Sequence, residues 1–230
     1  MRNSNKRFII FRTDSSDKIG GGHLTRCINL GNNLRKKNIK VFFLCQDLPG
    51  FDKRLLERSK HKFFLLKENV NFKKDALETI RILEENNLLN SILVVDHYEI
   101  DSKWEKLVSN YIKKIIVIDD LATKKHECDI LINQVYGTKE SSYKKLVNES
   151  CKLYLGSKYI MIKPEFAELR KNTVKMDSIE KIENIHLFFS SNDKNELTIK
   201  YSREILENFP FINLHISVGN GFKNIDALQE

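Results

Sequence analysis

Three consecutive glycines and a histidine, Gly20-Gly21-Gly22-His23, join a short apolar segment to an amphipathic one, and they are the residues best suited to chemistry in this chain. Without Cβ atoms, Gly20, Gly21 and Gly22 can take positive φ and let a ligand approach the backbone. The free N–H groups and positive dipole end of a helix starting there favour a phosphate or a developing oxyanion. His23, at that helix start, is placed to accept a proton as a general base. The same glycines would also serve a plain tight corner in an α/β unit, and a histidine there can simply satisfy backbone groups. Two phosphate-binding patterns are excluded: Thr25 stands where G-x-G-x-x-G needs its third glycine, and no G-x-x-x-x-G-K-[ST] run occurs.

The elements that must position this turn are legible from the apolar pattern. Phe8 to Phe11, Val41 to Cys45, Lys62 to Lys67, Ile92 to Val95 and Ile115 to Ile118 are short apolar runs of the kind found in strands buried on both faces. Between them, Leu24, Cys27, Ile28, Gly31 and Leu34, and then Leu77, Ile80 and Leu83, recur at helical spacing. Strands alternating with helices imply β-α-β units and a parallel sheet, in which ligands bind beyond the carboxyl ends of the strands. Arg12, Asp14, Asp96, Tyr98, Asp119 and Asp120 fall at those ends and are expected to converge with His23 on one rim. Arg12 could pair with Asp96 or clamp a phosphate. Asp96, Asp119 and Asp120 could equally be caps, and Trp104, at helical spacing from Leu107 and Val108, reads as core.

Composition narrows the classes. The 230 residues can bury a sizeable core, and 41% are hydrophobic. The 39 Lys and Arg against 31 Asp and Glu give a net charge of +8, spread along the chain. With no basic stripe of stacking aromatics, a nucleic acid partner is not expected. Cys27, Cys45, Cys128 and Cys151 lack C-x-x-C spacing and read as buried thiols of a reducing compartment, and His126-x-Cys128 has no second ligand pair, so no metal is expected. No apolar run approaches a membrane span, and a cytoplasmic protein is expected.

Further along, Asp129 to Asn133 and Lys152 to Gly156 continue the strand pattern, and Lys163 to Arg170 starts a helix with Pro164 in its first turn. The polar segment beyond it reads as a linker. A strand at Ile185 to Phe189, a helix near Glu196 to Asn208 and a strand at Ile212 to Val218 then begin a second unit. The expected domains are 1–171, a linker at 172–183, and 184–230 as the start of a truncated second α/β domain.

An ordered series of motifs carries a resemblance: Arg12-x-Asp14, Gly20-Gly-Gly-His23-x-x-Arg26-Cys27, Asp96-His-Tyr98, Asp101-Ser-Lys-Trp-Glu105, Ile118-Asp-Asp-Leu-Ala122, His126-x-Cys-Asp-Ile-Leu-Ile-Asn133, Tyr143, and Leu155-Gly-x-x-Tyr159 through Pro164-Glu-Phe166. The sequence resembles the UDP-2,4-diacetamido-2,4,6-trideoxy-β-L-altropyranose hydrolases of pseudaminic acid synthesis and the related spore-coat polysaccharide proteins. That resemblance implies a GT-B-like fold, with a Rossmann-type parallel-sheet N-terminal domain and an incomplete second α/β domain that binds nucleotide. It implies hydrolysis of a UDP-sugar by water attack at the anomeric carbon, without metal or other cofactor. Carried over by position, His23 is the base, and Arg12, Asp14, Gly20, Gly21, Gly22, Asp96 and Tyr98 bind substrate. Where the family's second domain opens with Gly-Gly-x-Asp, this chain has Ser190-Ser-Asn-Asp193. The alternatives are a GT-B glycosyltransferase of cell-surface polysaccharide synthesis and a catalytically silent homologue, with a partner polypeptide completing the second domain.

Overall fold

The computed structural model describes residues 8–67, 71–172, 181–189, 193, 195–219 and 221–228. Most of the expected linker and Ser190 to Asn192 lie outside them. The chain divides into two compact units, Met1–Ala167 and Glu168–Glu230.

In the first unit the apolar runs form seven strands: β1 (Phe8–Thr13), β2 (Lys40–Gln46), β3 (Lys62–Leu66), β4 (Ile92–Asp96), β5 (Lys114–Ile118), β6 (Ile130–Asn133) and β7 (Lys152–Leu155). They build one sheet in the order β3-β2-β1-β4-β5-β6-β7, with every pair parallel. The order reverses between β1 and β4, where the connections leave toward opposite faces. This is the crevice at which open α/β sheets bind ligands.

Strand alternation divides the core in two. Ile9, Phe11, Val41, Phe43 and Val94 pack with Leu24, Cys27 and Ile28 of α1 (Gly22–Lys36) on one face. Ile10, Leu44, Leu93 and Val95 pack with Ala76, Ile80 and Leu83 of α3 (Phe72–Glu85) and with Trp104 of α4 (Ser102–Val108) on the other. Leu77, expected on the buried stripe of α3, is 62% exposed, and Asp75, Ala76 and Thr79 take the inward positions instead. The short α2 (Lys53–Ser59) carries too few apolar positions to show periodicity; it is bounded by an Asp52 cap on Leu55 N–H and a left-handed Lys60. Cys151 is only partly buried, against the expectation that all four thiols are enclosed.

The boundary between the units falls within α5 (Pro164–Asn172), which has no buried residue. The second unit has two parallel strands, β8 (Asn184–Leu187) and β9 (Asn213–Ile216), with α6 (Leu197–Asn208) between them in sequence. Its strands alternate exposed and half-buried positions, and Thr198, Ser202 and Phe222 are its buried residues among those described.

Gly31 lets α1 lie close on β2. A Cβ there would stand 3.2 Å from His61 Nε2, 3.3 Å from Val41 Cγ1 and 3.4 Å from Phe43 Cζ. Gly31→Val is expected to destabilise the protein by about 1–3 kcal/mol through overpacking, read from the midpoint of urea unfolding, although valine has the better helix propensity of the two.

Candidate functional site

The β1–α1 turn is built to leave the start of α1 open. Gly20 has φ +80°, the left-handed region, and its N–H donates to Ser16 O at 2.7 Å to close the turn. Gly21 occupies the N-cap position without a side chain to bond the first-turn N–H groups, and the first turn holds no acid. By contrast Asp52, Asn71 and Asp101 cap α2, α3 and α4. A Cβ added at Gly20, Gly21 or Gly22 would meet no atom within 4 Å, so the space over the three glycines is free.

His23, on the first turn of α1, meets Asp96 at the end of β4. Nδ1 lies 2.6 Å from Asp96 Oδ1, and the ring stands edge-on to Tyr98 with centroids 4.3 Å apart. A carboxylate so close makes Nδ1 the protonated nitrogen, leaving the Nε2 lone pair available. Among the described residues Nε2 has no hydrogen-bond partner, while Arg26 Nη2 also approaches Nδ1, to 3.2 Å.

Arg26 sits one turn after His23 and donates from Nε to Asp96 Oδ2 and from Nη2 to Asp96 Oδ1, both at 2.5 Å, while Nη1 donates to Asp120. Cys27 Sγ adds a contact of 3.3 Å to Asp96 Oδ2. Burial alone would raise the Asp96 pKa, but Arg26 and His23 hold it below the usual carboxylate range. Asp96 is therefore a fixed anion under the imidazole. Burial, reinforced by Asp96, pushes the Cys27 thiol well up, so it stays protonated.

Arg12 and Asp14, expected on the same rim, lie at the same end of the sheet but turn to its other face. Arg12 does not pair with Asp96. Its Nη1 donates to Asp14 Oδ1 at 2.6 Å and its Nη2 to Asp75 Oδ2 at 2.7 Å. Asp75 also accepts from Gln46 Nε2 and from Trp104 Nε1, each at 2.6 Å. Asp14 also accepts from Gln46 N–H at 2.7 Å and lies 2.9 Å from His97 Nε2. His97 Nδ1 accepts from Glu99 N–H at 3.0 Å, which assigns the Nε2 proton to the Asp14 bond. Burial would raise both acids, yet Arg12 first and then their other donors hold Asp14 and Asp75 below their ordinary range. A cavity of about 470 Å³ opens beside this cluster, lined by Arg12, Asp14, Gln46, Asp75, His97 and Trp104 among others. Neither His23, Asp96, Tyr98 nor the three glycines line it. Asp96 and His97 are successive residues, so strand alternation sends one to each face.

The β5 end holds a third polar cluster. Asp119 accepts from Leu121 N–H and Ala122 N–H at 3.0 Å and from Tyr143 Oη, which in turn accepts from Asn133 Nδ2. His126 Nδ1 lies 2.7 Å from Glu105 Oε1 and its Nε2 3.9 Å from Asp119 Oδ2. Asp119 is thus a loop cap, while its neighbour Asp120 reaches Arg26. Arg26, Asp75, Gln46 and His97 were not singled out as site residues from sequence. Arg26 follows His23 by three, the spacing that shares a helix face, and Asp75 is an acid on an apolar stripe, and these are the sequence features that mark them.

No family model matches the sequence. Over 223 residues, 96% of this chain, it is 29% identical to the UDP-2,4-diacetamido-2,4,6-trideoxy-β-L-altropyranose hydrolase of Campylobacter jejuni subsp. jejuni serotype O:2. The chain is thus similar to a sugar-nucleotide hydrolase. It is also 27% identical over 221 residues to an uncharacterised protein of Methanocaldococcus jannaschii. It spans 43% of that archaeal protein's length and 73% of the hydrolase's. Among solved structures, a glycosyltransferase from Rickettsia africae ESF-5 superposes with a TM-score of 0.54 at 12% identity, covering 97% of this chain and 70% of its own. The parallel sheet and this likeness are those of a GT-B-like, Rossmann-type α/β fold.

Two measurements probe the clusters. Asp75→Ala leaves Arg12 short of one partner, removes the Asp75 bond of Gln46 Nε2 and orphans Trp104 Nε1, and is expected to cost about 3–5 kcal/mol in urea unfolding. Burial pulls the His126 pKa down, but Glu105 outweighs it and the net shift is upward. A raised folded-state pKa stabilises fully below the unfolded value of about 6.5, and the contribution disappears as pH rises through the folded-state value. The wild-type melting temperature should therefore carry a component that falls over that window, and Glu105→Gln should abolish it.

Proposed function

We propose that this protein is an enzyme that hydrolyses a UDP-linked 2,4-diacetamido-2,4,6-trideoxy sugar to the free sugar and UDP, a step of nonulosonic acid synthesis. The observation that carries this reading is the 2.6 Å contact of His23 Nδ1 with a buried, arginine-bound Asp96 beside an uncapped helix start. The similarity to a UDP-sugar hydrolase supplies the substrate class.

His23 Nε2 takes a proton from water as the water oxygen attacks the anomeric carbon. The bond from that carbon to the diphosphate oxygen breaks, and UDP departs with the electron pair. Asp96, accepting from Nδ1–H, fixes the ring and stabilises the imidazolium that forms. Arg26 and Asp120 hold Asp96 in place. The first-turn N–H groups of α1, with no side-chain cap, suit an anionic part of the substrate, and Gly20, Gly21 and Gly22 keep its approach clear. Tyr98, 45% exposed and edge-on to His23, borders the sugar. Arg12 and Asp14, bonded to one another, to Asp75 and to His97, face the adjoining cavity and bind substrate from its wall.

In this reading residues 1–171 carry the water-activating side and 184–230 belong to the nucleotide-binding side. Among the described residues no helix is long and apolar enough to cross a membrane. The four free cysteines suit a reducing compartment, and we place the protein in the cytoplasm.

Turnover by the full-length protein should release UDP and free sugar in equal amounts, followed by coupled UDP detection and sugar chromatography. His23→Asn should lower kcat by about 10²–10⁴ with the circular dichroism spectrum unchanged. A glycoside in place of free sugar would overturn hydrolysis in favour of transfer to an acceptor, and undiminished turnover by His23→Asn would remove the imidazole from the mechanism.

A further inference from the structure

Cys128 immediately precedes Asp129 and β6, and Cys151 immediately precedes β7. These strands are parallel neighbours, with Ile130 opposite Lys152, so their entries bring two cysteines 23 positions apart in sequence side by side. The Sγ atoms are 3.7 Å apart and both residues are reduced. A disulfide needs about 2.05 Å, a closure of about 1.7 Å, which lies within the sweep of a rotamer change at Cys151. Cys128 is buried, whereas Cys151 is the one partly exposed cysteine of the four, so an oxidant reaches it first. The contact with Cys128 is also the main influence lowering the Cys151 pKa, with His126 adding to it, and the Cys128 thiol is raised in turn. Burial pushes the thiols of Cys27 and Cys45 up and leaves them enclosed.

We propose that Cys151 and Cys128 form a peroxide-responsive thiol pair, with Cys151 attacking and Cys128 resolving. The Cys151 thiolate attacks one oxygen of hydrogen peroxide; the O–O bond breaks, hydroxide leaves, and Cys151 becomes a sulfenic acid. The Cys128 sulfur then attacks the Cys151 sulfur, forming the S–S bond and expelling the sulfenic oxygen, which leaves as water with the Cys128 proton. Sulfur is oxidised by two electrons in all and the peroxide is reduced by two, and a dithiol reverses the change. The bridge would tie the edge strand β7 to β6 at the end of the sheet opposite His23, so it is independent of the catalytic reading above.

Native protein treated with hydrogen peroxide should lose 2 Da of mass and, when then denatured and alkylated, take up two alkyl groups instead of four. Tryptic digestion should yield a Cys128–Cys151 linked peptide that dithiothreitol dissolves. Cys128→Ser should give no link and a dimedone adduct at Cys151, and Cys151→Ser should keep all three remaining thiols under the same exposure. The proposal is overturned if Cys27 or Cys45 oxidises first, if wild-type Cys151 accumulates as the dimedone adduct with no link, or if all four thiols persist at peroxide levels that oxidise Cys151 in Cys128→Ser.

Discussion

Everything at the carboxyl end of the sheet depends on one buried carboxylate. Asp96 is almost fully enclosed, and burying an unpaired carboxylate costs several kcal/mol. Arg26 offsets that cost by covering both oxygens, and Asp120 in turn holds the third arm of the guanidinium. The anion so stabilised is what orients His23. Removing Arg26 would leave the buried Asp96 without its cation, so the orientation of His23 and the stability of the β1–β4 crevice rest on the same bonds.

A second anion pair does equivalent work on the opposite face. Arg12, Asp14 and Asp75 compensate one another among Gln46, Trp104 and His97, and together they line one wall of the adjoining cavity. The two clusters meet through the backbone of Asp96 and His97. Because successive strand residues face opposite ways, a shift of β4 would move both at once, which couples the cavity wall to the imidazole without any direct side-chain contact between them.

The thiol pair belongs to a different part of the molecule. Its position at the entries of β6 and β7 follows from parallel register alone, and the nearest polar network, around Glu105 and His126, braces the β5 and β6 loops rather than the histidine site. Residues able to react are thus distributed between the two ends of the sheet, with the His23–Asp96 pair at one and the two thiols at the other.

Much of this architecture was legible without coordinates. Short β-branched and aromatic runs are buried on both faces in a parallel sheet, so their lengths and the helical spacing between them already specify strand, helix and alternation, and the three glycines before His23 can hardly mark anything but a turn into a helix. The contact between His23 and Asp96 was predictable as a shared rim, because both lie where strands end. Pairing across the sheet was not. Whether Arg12 meets Asp96 or Asp75 depends on which face each strand position takes, on the register of β1 against β4, and on the approach of α3, and these are set by packing between elements far apart in sequence. For the same reason Leu77 points to solvent while Asp75 points inward: a helical stripe can be read from spacing, but its rotation against the sheet is decided by the partners that a buried acid must find.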